Sequence, residues 1–352
     1  MPIESKLFTA SHYSRLTREN EYIPYPAIDF NLGRLTEEEL QASWLCHHGA
    51  DQFSEALKRD EPGIVCTGIG LSGPPHVGTI TQIVRAVRIQ QAGIPVQLVL
   101  GDLDAYNGKR IPWEITKTLT HQYIDFAIAL GFRNETPSIL RNQADHPEVL
   151  LTAYEIANFM NEPMFEKASE ELHEYYASHG KVDRLKRMSY PRRVSLNLMT
   201  ADFFHYFMEK EMFNVLVSLG IDEHVYVRFA RQTLEKVINA GILNTDCLLA
   251  GMYTAIIKGL YKAPKISKSF PESGINVELS GKEVLQRLLD GDQYEQPINS
   301  PVFQMMMHLG YLTGDEIDKA YRACRENSAM WKKIKTKFAG FLNEEIISKW
   351  PR

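Results

Sequence analysis

The sequence predicts an α/β fold, a doubly wound parallel sheet with a helical insertion and a C-terminal helical domain. Three observations predict it. Residues 64–68 form a short apolar run that ends in glycine and leads through a Gly/Ser/Pro turn into a helical pattern over residues 77–92. Residues 93–101 form a second apolar run bounded by glycines, as expected of a strand buried on both faces. Beyond about residue 279 the periodicity is helical throughout.

Taken in order, residues 1–60 read as an N-terminal extension. Pro24 and Pro26 mark an extended entry, and Thr36 caps a helix whose first turn is acidic. Residues 61–146 form the first half of the sheet domain: strand, loop, helix, strand, a helix after Pro112 that runs to about Leu130 and closes at Gly131, and a third strand over residues 138–141. Residues 147–195 read as a wholly helical, charged insertion, the kind of element that carries partner or dimer contacts. Residues 196–280 form the second half, with an amphipathic helix over 196–206, a strand over 214–220 and a helix over 223–240. Residues 281–352 form the helical domain, ending in a basic-then-acidic helix over 331–350.

The 352 residues, 44% of them hydrophobic, suffice for a full core. A net charge of -5 argues against a non-specific nucleic-acid coat and gives no sign of a DNA partner, while a local basic face for RNA stays open. The four cysteines, Cys46, Cys66, Cys247 and Cys324, form no CxxC pair, which points to reduced thiols and a cytoplasmic setting. No metal site is expected at Cys46-His47-His48, because adjacent side chains diverge and no second ligand pair follows; helix-end packing is the simpler account. With no apolar run of signal-peptide or membrane-spanning length, no membrane partner is expected.

Two stretches carry chemistry. The first, residues 67–79, places Gly68, Gly70, Ser72, Pro75, His76, Gly78 and Thr79 between a strand and a helix, where backbone N–H groups and the helix dipole favour an anion. It lacks the Gly-Lys-Ser/Thr of a P-loop and the full glycine spacing of the dinucleotide fingerprint. A histidine and a hydroxyl at the helix start can donate to phosphate oxygens. The second, about 190 residues later, is Lys265-Ile266-Ser267-Lys268-Ser269 in a Pro-flanked loop. Two lysines three apart suit a clamp on a polyphosphate. A lone pair of this kind is more often a solvated basic loop, and its coincidence with the first stretch is what favours the clamp.

At these residues the chain resembles the class I aminoacyl-tRNA synthetases, whose two signatures are called HIGH and KMSKS. Residues 75–79 are similar to the first and residues 265–269 to the second. Residues 101–106 (Gly-Asp-Leu-Asp-Ala-Tyr), Ala201-Asp202 and Gly220-Ile221-Asp222-Glu223 resemble the tryptophanyl and tyrosyl branch, over roughly residues 55–350; residues 222–231 and 267–275 look more tryptophanyl, residues 101–106 more tyrosyl. The resemblance implies a Rossmann-like fold, a homodimer, and a substrate carboxylate that attacks the α-phosphorus of ATP with no protein nucleophile. It implies His76, Thr79, Lys265 and Lys268 as catalytic residues, and Mg2+ held mainly by the phosphates. ATP would contact Gly68, Gly70, Ser72, Pro75, Gly78, Gly220, Asp222, Ile266, Ser267 and Ser269. The amino acid would contact Cys66, Asp102, Asp104, Tyr106, Met199, Asp202 and Glu223.

The chain departs from the family in the amino-acid pocket. Cys66 stands where a tyrosine is usual, Met199 where a polar residue is usual, and Val99 where an indole-binding glutamine is usual. Glu223 replaces a glutamine that meets the substrate's α-ammonium, adding a charge to that contact. Three readings follow: activation of an amino acid, tryptophan first and tyrosine second, with transfer to tRNA; a paralogue that hands the acyl group to another acceptor; and a non-catalytic binding protein. The run from Trp331 to Lys337 offers either a basic surface for an RNA stem or a solvated helix face.

Overall fold

The computed structural model describes residues 7–25, 29–168, 188–294 and 296–351. Five parallel strands form the centre of a seven-stranded sheet: β3 (Gly63–Gly70), β4 (Val96–Gly101), β5 (Ile139–Asn142), β6 (Asn214–Gly220) and β7 (Leu248–Thr254). Two short strands, β1 (Ile23–Pro24) and β2 (Cys46–His48), add an antiparallel edge, giving the order β1-β2-β7-β6-β3-β4-β5. β4 is buried along its whole length and β6 along all but its last residue, which is why their sequences read as continuous apolar runs.

Helices α1 (Ala10–Glu19), α2 (Glu37–Ser43) and α3 (Ala50–Lys58) precede β3. Thr36 and Glu39 close a capping box on α2, as the acidic first turn implied. Within the expected extension, two contacts join the sheet: Cys46 pairs with Tyr253 in β7, and Trp44 Nε1 donates to Ser218 Oγ at 3.2 Å. Cys46-His47-His48 is therefore a strand paired on both sides, not a helix end. β7 also went unread in the sequence.

After β3 come α4 (Val77–Gln91), α5 (Asp102–Lys109) and α6 (Trp113–Ala129), which wind the chain outward to β5. The insertion supplies α7 (Pro147–Ile156) and α8 (Glu162–Lys167); the rest of it, residues 169–187, lies outside the described residues. Next comes α9 (Tyr190–Met208), six residues longer at its start than expected. It is buried nearly all round, packed by α5 and α7, so the expected amphipathic pattern is absent. The chain then returns to β6 on the other side of β3, which puts the reversal of strand order between β3 and β6, where open α/β sheets bind ligands. Helix α10 (His224–Asn239) leads to β7.

Helices α11 (Gly281–Asp290), α12 (Pro301–His308), α13 (Asp315–Arg325) and α14 (Ala329–Phe341) form the C-terminal part. Its core is tied together at Asp292, whose carboxylate accepts from Ser300 Oγ at 2.6 Å, Trp331 Nε1 at 3.0 Å and Lys335 Nζ at 3.3 Å. Lys335 thus belongs to a buried ion pair, leaving Lys332, Lys333 and Lys337 as the exposed part of the basic run. Removing one partner of such a pair strands the other charge. Asp292→Ala should cost about 3–5 kcal/mol in urea unfolding, and a loss below about 1 kcal/mol, the size of a surface pair, would contradict this role.

Candidate active site

The C-terminal ends of β3, β4 and β6 open into a cleft of about 810 Å³. On one wall His76 is the N-cap of α4, and its Nδ1 accepts from the Thr79 N–H at 3.2 Å. Burial, together with Lys268 and Lys265 nearby, pushes the imidazole down to about 3. It is therefore neutral, and with Nδ1 acting as acceptor the proton sits on Nε2, free to donate. Gly78 keeps the helix start open: a β-carbon there would stand 3.1 Å from His76 Cε1.

The lysine loop meets this wall through backbone pairing. Val77 N donates to Ile275 O at 2.8 Å, and Val277 N donates to Pro75 O at 3.2 Å. These bonds seat residues 265–269 over the glycine turn. Lys268 Nζ donates to Gly73 O at 2.9 Å and Tyr123 Oη at 3.1 Å, and Lys265 Nζ pairs with Asp222 Oδ2 at 2.6 Å. Burial, and then the charge of Lys109, hold the Lys268 ammonium down to about 7.

The structure brings most expected residues together. His76, Thr79, Lys265, Lys268, Gly68, Gly70, Ser72, Gly78, Gly220, Asp222, Ile266, Ser267, Ser269, Asp104, Met199, Asp202 and Glu223 all line the cleft. Pro75 contributes its carbonyl to the backbone pairing instead. Three expected amino-acid contacts fall elsewhere. Cys66 is fully buried behind the wall, where its sulfur accepts from Gln97 Nε2 at 3.3 Å. Asp102 is buried and clamps the loop after β5, accepting from Gln143 N at 2.9 Å and Asn142 Nδ2 at 2.8 Å. Tyr106 is 51% exposed and packs its ring on Trp113.

Asp202 is no surface acid. Its Oδ1 accepts from Arg141 Nη2 at 2.7 Å and its Oδ2 from Gln143 Nε2 at 2.8 Å, while Arg141 Nε donates to Gln97 Oε1 at 3.0 Å. Burial raises its carboxyl, and Arg141 opposes that shift. Arg141 and Gln143 were missed because they lie in and just after a short strand with no motif around them. Lys109 was missed as well; it lines the cleft from the last residue of α5, where no motif marks it. A second hollow of about 870 Å³ lies at the opposite ends of β6 and β7, lined by Asp51, Glu55 and Arg59, and holds none of these residues.

A parallel sheet with a helix N-terminus and a lysine loop at its switch point defines a nucleotide-binding type of α/β fold. The family model described as tRNA synthetases class I (W and Y) matches residues 58–287, and the chain belongs to that family. It is 31% identical over 115 residues to a tryptophan–tRNA ligase of Archaeoglobus fulgidus, a match spanning 33% of this chain and 27% of that ligase. It is 22% identical to a tyrosine–tRNA ligase of Methanobrevibacter smithii, over 68% of this chain and 67% of the relative. The fold is similar to the crystal structure of tryptophanyl-tRNA synthetase from Aeropyrum pernix, with a TM-score of 0.78 at 19% identity over 97% of this chain and 94% of that one.

The depressed Lys268 ammonium predicts a pH-dependent affinity for a nucleotide in this cleft. Its charge is lost as pH rises through about 7 in the free protein, so ATP binding followed by calorimetry between about pH 6 and 9 should weaken above that point and take up a proton. Lys109→Met removes a repelling charge and should move the inflection upward; an unmoved inflection would mean that another group titrates.

Proposed function

We propose that this chain joins an amino acid to ATP, releasing pyrophosphate, and passes the acyl group from the adenylate to tRNA. The observation that carries the reading is the placement of His76 and the two loop lysines around one cleft by the pairing of residues 75–77 with 275–277.

In this reading a substrate carboxylate oxygen attacks the α-phosphorus and the bond to the pyrophosphate oxygen breaks. The protein needs no nucleophile; it supplies position and charge. His76 Nε2–H donates to an α-phosphate oxygen as negative charge builds there. Lys265 and Lys268 exchange their contacts with Asp222, Gly73 and Tyr123 for the departing pyrophosphate, and Lys109 adds a third ammonium beside them. Among the described residues no three His, Cys, Asp or Glu side chains gather as a metal site. A magnesium ion arriving with the nucleotide would take its ligands mainly from phosphate and water, as its chemistry prefers.

Tryptophan is the first amino acid of this reading and tyrosine the second, the two that relatives in the family are named for. The exposed Lys332, Lys333 and Lys337 on α14 support contact with an RNA backbone. A homodimer through the insertion is supported by Leu151 and Tyr154 on α7 and Tyr190 on the adjoining α9, large apolar side chains left exposed. Four free, buried cysteines suit a cytoplasmic setting.

Pyrophosphate exchange tests activation. Lys268→Ala should lower it by about 10² to 10³, the size of a lost transition-state donor, with an unchanged circular dichroism spectrum; wild-type exchange in that variant would remove the lysine from the mechanism. Charging of total tRNA tests the acceptor, and exchange without charging would replace tRNA by another acyl acceptor.

A further inference from the structure

The wall expected to recognise the substrate side chain offers little to bind it. Cys66 is behind that wall and bonded to Gln97, Val99 and Met199 are apolar, and both oxygens of Asp202 already accept, from Arg141 and Gln143. Discrimination between a side chain with a polar hydrogen and its apolar isostere requires a group that is left unpaired by the wrong substrate. Such a group stands on the neighbouring wall.

Asp104, in the first turn of α5, lines the cleft, and its carboxylate has no hydrogen bond or ion pair among the described residues. Its position is nevertheless fixed, because Asp104 N donates to Gln143 Oε1 at 3.2 Å and Gln143 is anchored in turn on Asp202. Across from it on α9 is Ser195, only 8% exposed, whose Oγ is buried with no partner. Between the two is Gly108. A β-carbon on Gly108 would stand 2.9 Å from Asp104 Oδ1 and 3.0 Å from Ser195 Oγ, so the two oxygens are less than 6 Å apart. Glycine inside a helix costs about 1 kcal/mol relative to alanine. Here a side chain would crowd both oxygens, so glycine is what lets the carboxylate and the hydroxyl stand this close together at the cleft. Lys109 is the nearest cation on the same helix; its Nζ lies against Gly70 and makes no ion pair with Asp104, so the carboxylate remains available.

We propose that Asp104 and Ser195, set astride Gly108, form the specificity-determining acceptor for an N–H on the substrate side chain, either an indole N–H or a side-chain amine. The inference rests on the amino-acid activation reading above. A carboxylate can only accept, which selects a donor, and the hydroxyl can accept from the same group or donate to Asp104 beside it. A side chain without the N–H leaves a part-buried carboxylate desolvated and unpaired.

The experiment is pyrophosphate exchange with two matched pairs: tryptophan against its benzothiophene analogue, in which sulfur replaces the indole N–H, and lysine against norleucine, which lacks the amine. Tyrosine and phenylalanine are included. The best substrate should be an N–H member, preferred over its own partner by at least about 100-fold in kcat/KM, well within what a hydrogen-bonding site can reach. Asp104→Asn, Ser195→Ala and Gly108→Ala should each reduce that preference to about tenfold or less while exchange persists. Alanine at 108 would press on both oxygens, so thermal unfolding is followed beside exchange in that variant. A best substrate without a side-chain N–H, or variants that keep the full preference, would overturn this inference and leave activation standing. Which pair shows the preference separates the indole from the amine. Silence with every amino acid would overturn the activation reading and this inference with it.

Discussion

Two backbone hydrogen bonds between segments about 200 residues apart, Val77 N to Ile275 O and Val277 N to Pro75 O, decide whether this chain has a nucleotide site. They fasten the segment that follows the lysine loop to the entry of α4, so the loop cannot lie against the protein anywhere but over the glycine turn. Each such bond contributes only about 1 kcal/mol net. Their importance is geometric: they close a long loop of chain at the place where a helix N-terminus, an imidazole N–H and two ammonium groups converge.

That convergence is electrostatically costly without an anion, and the protein meets the cost in three ways. His76 is neutral, driven there by burial and the lysines. Lys268 is brought near its neutral form and is held on backbone carbonyls and a tyrosine hydroxyl. Lys265 is paired with Asp222. A triphosphate would meet all three at once, which on the proposed reading would favour polyanions before any contact with a base or sugar. The other side of the cleft is built on the opposite plan. Arg141, Gln97, Asp202 and Gln143 satisfy one another in a closed buried network, which gives a rigid floor and leaves recognition to groups at its margin.

Most of the phosphate side was legible in the sequence, because it is built from local segments. A strand, a glycine turn and an N-capping histidine are adjacent residues, and their roles follow from backbone chemistry. The central strands β3, β4 and β6 were legible for a similar reason, since strands buried on both faces read as apolar runs. β7 was not: Gly251 and Thr254 interrupt its apolar character, and its burial is imposed by β2 and β6 on either side. The short strands β1 and β2 exist only through pairing, β2 with β7 and β1 with β2, so nothing local announces them. The amino-acid side was the least legible. Asp102 and Asp104 are two residues apart and chemically identical, yet one clamps a loop and the other faces the cleft, a difference set by helix phase and by partners from β5. Charge alone could not separate Lys335, which is buried on Asp292, from its solvated neighbours Lys333 and Lys337.

The account depends on one triphosphate lying between the two motif segments, and a crystal structure with a non-hydrolysable ATP analogue tests this most directly. It should show an α-phosphate oxygen about 3 Å from His76 Nε2, with Lys265 and Lys268 turned from Asp222 and Gly73 onto the outer phosphates. An analogue seated elsewhere, for instance in the hollow beside Asp51 and Arg59, or one whose phosphates avoid both lysines, would contradict it.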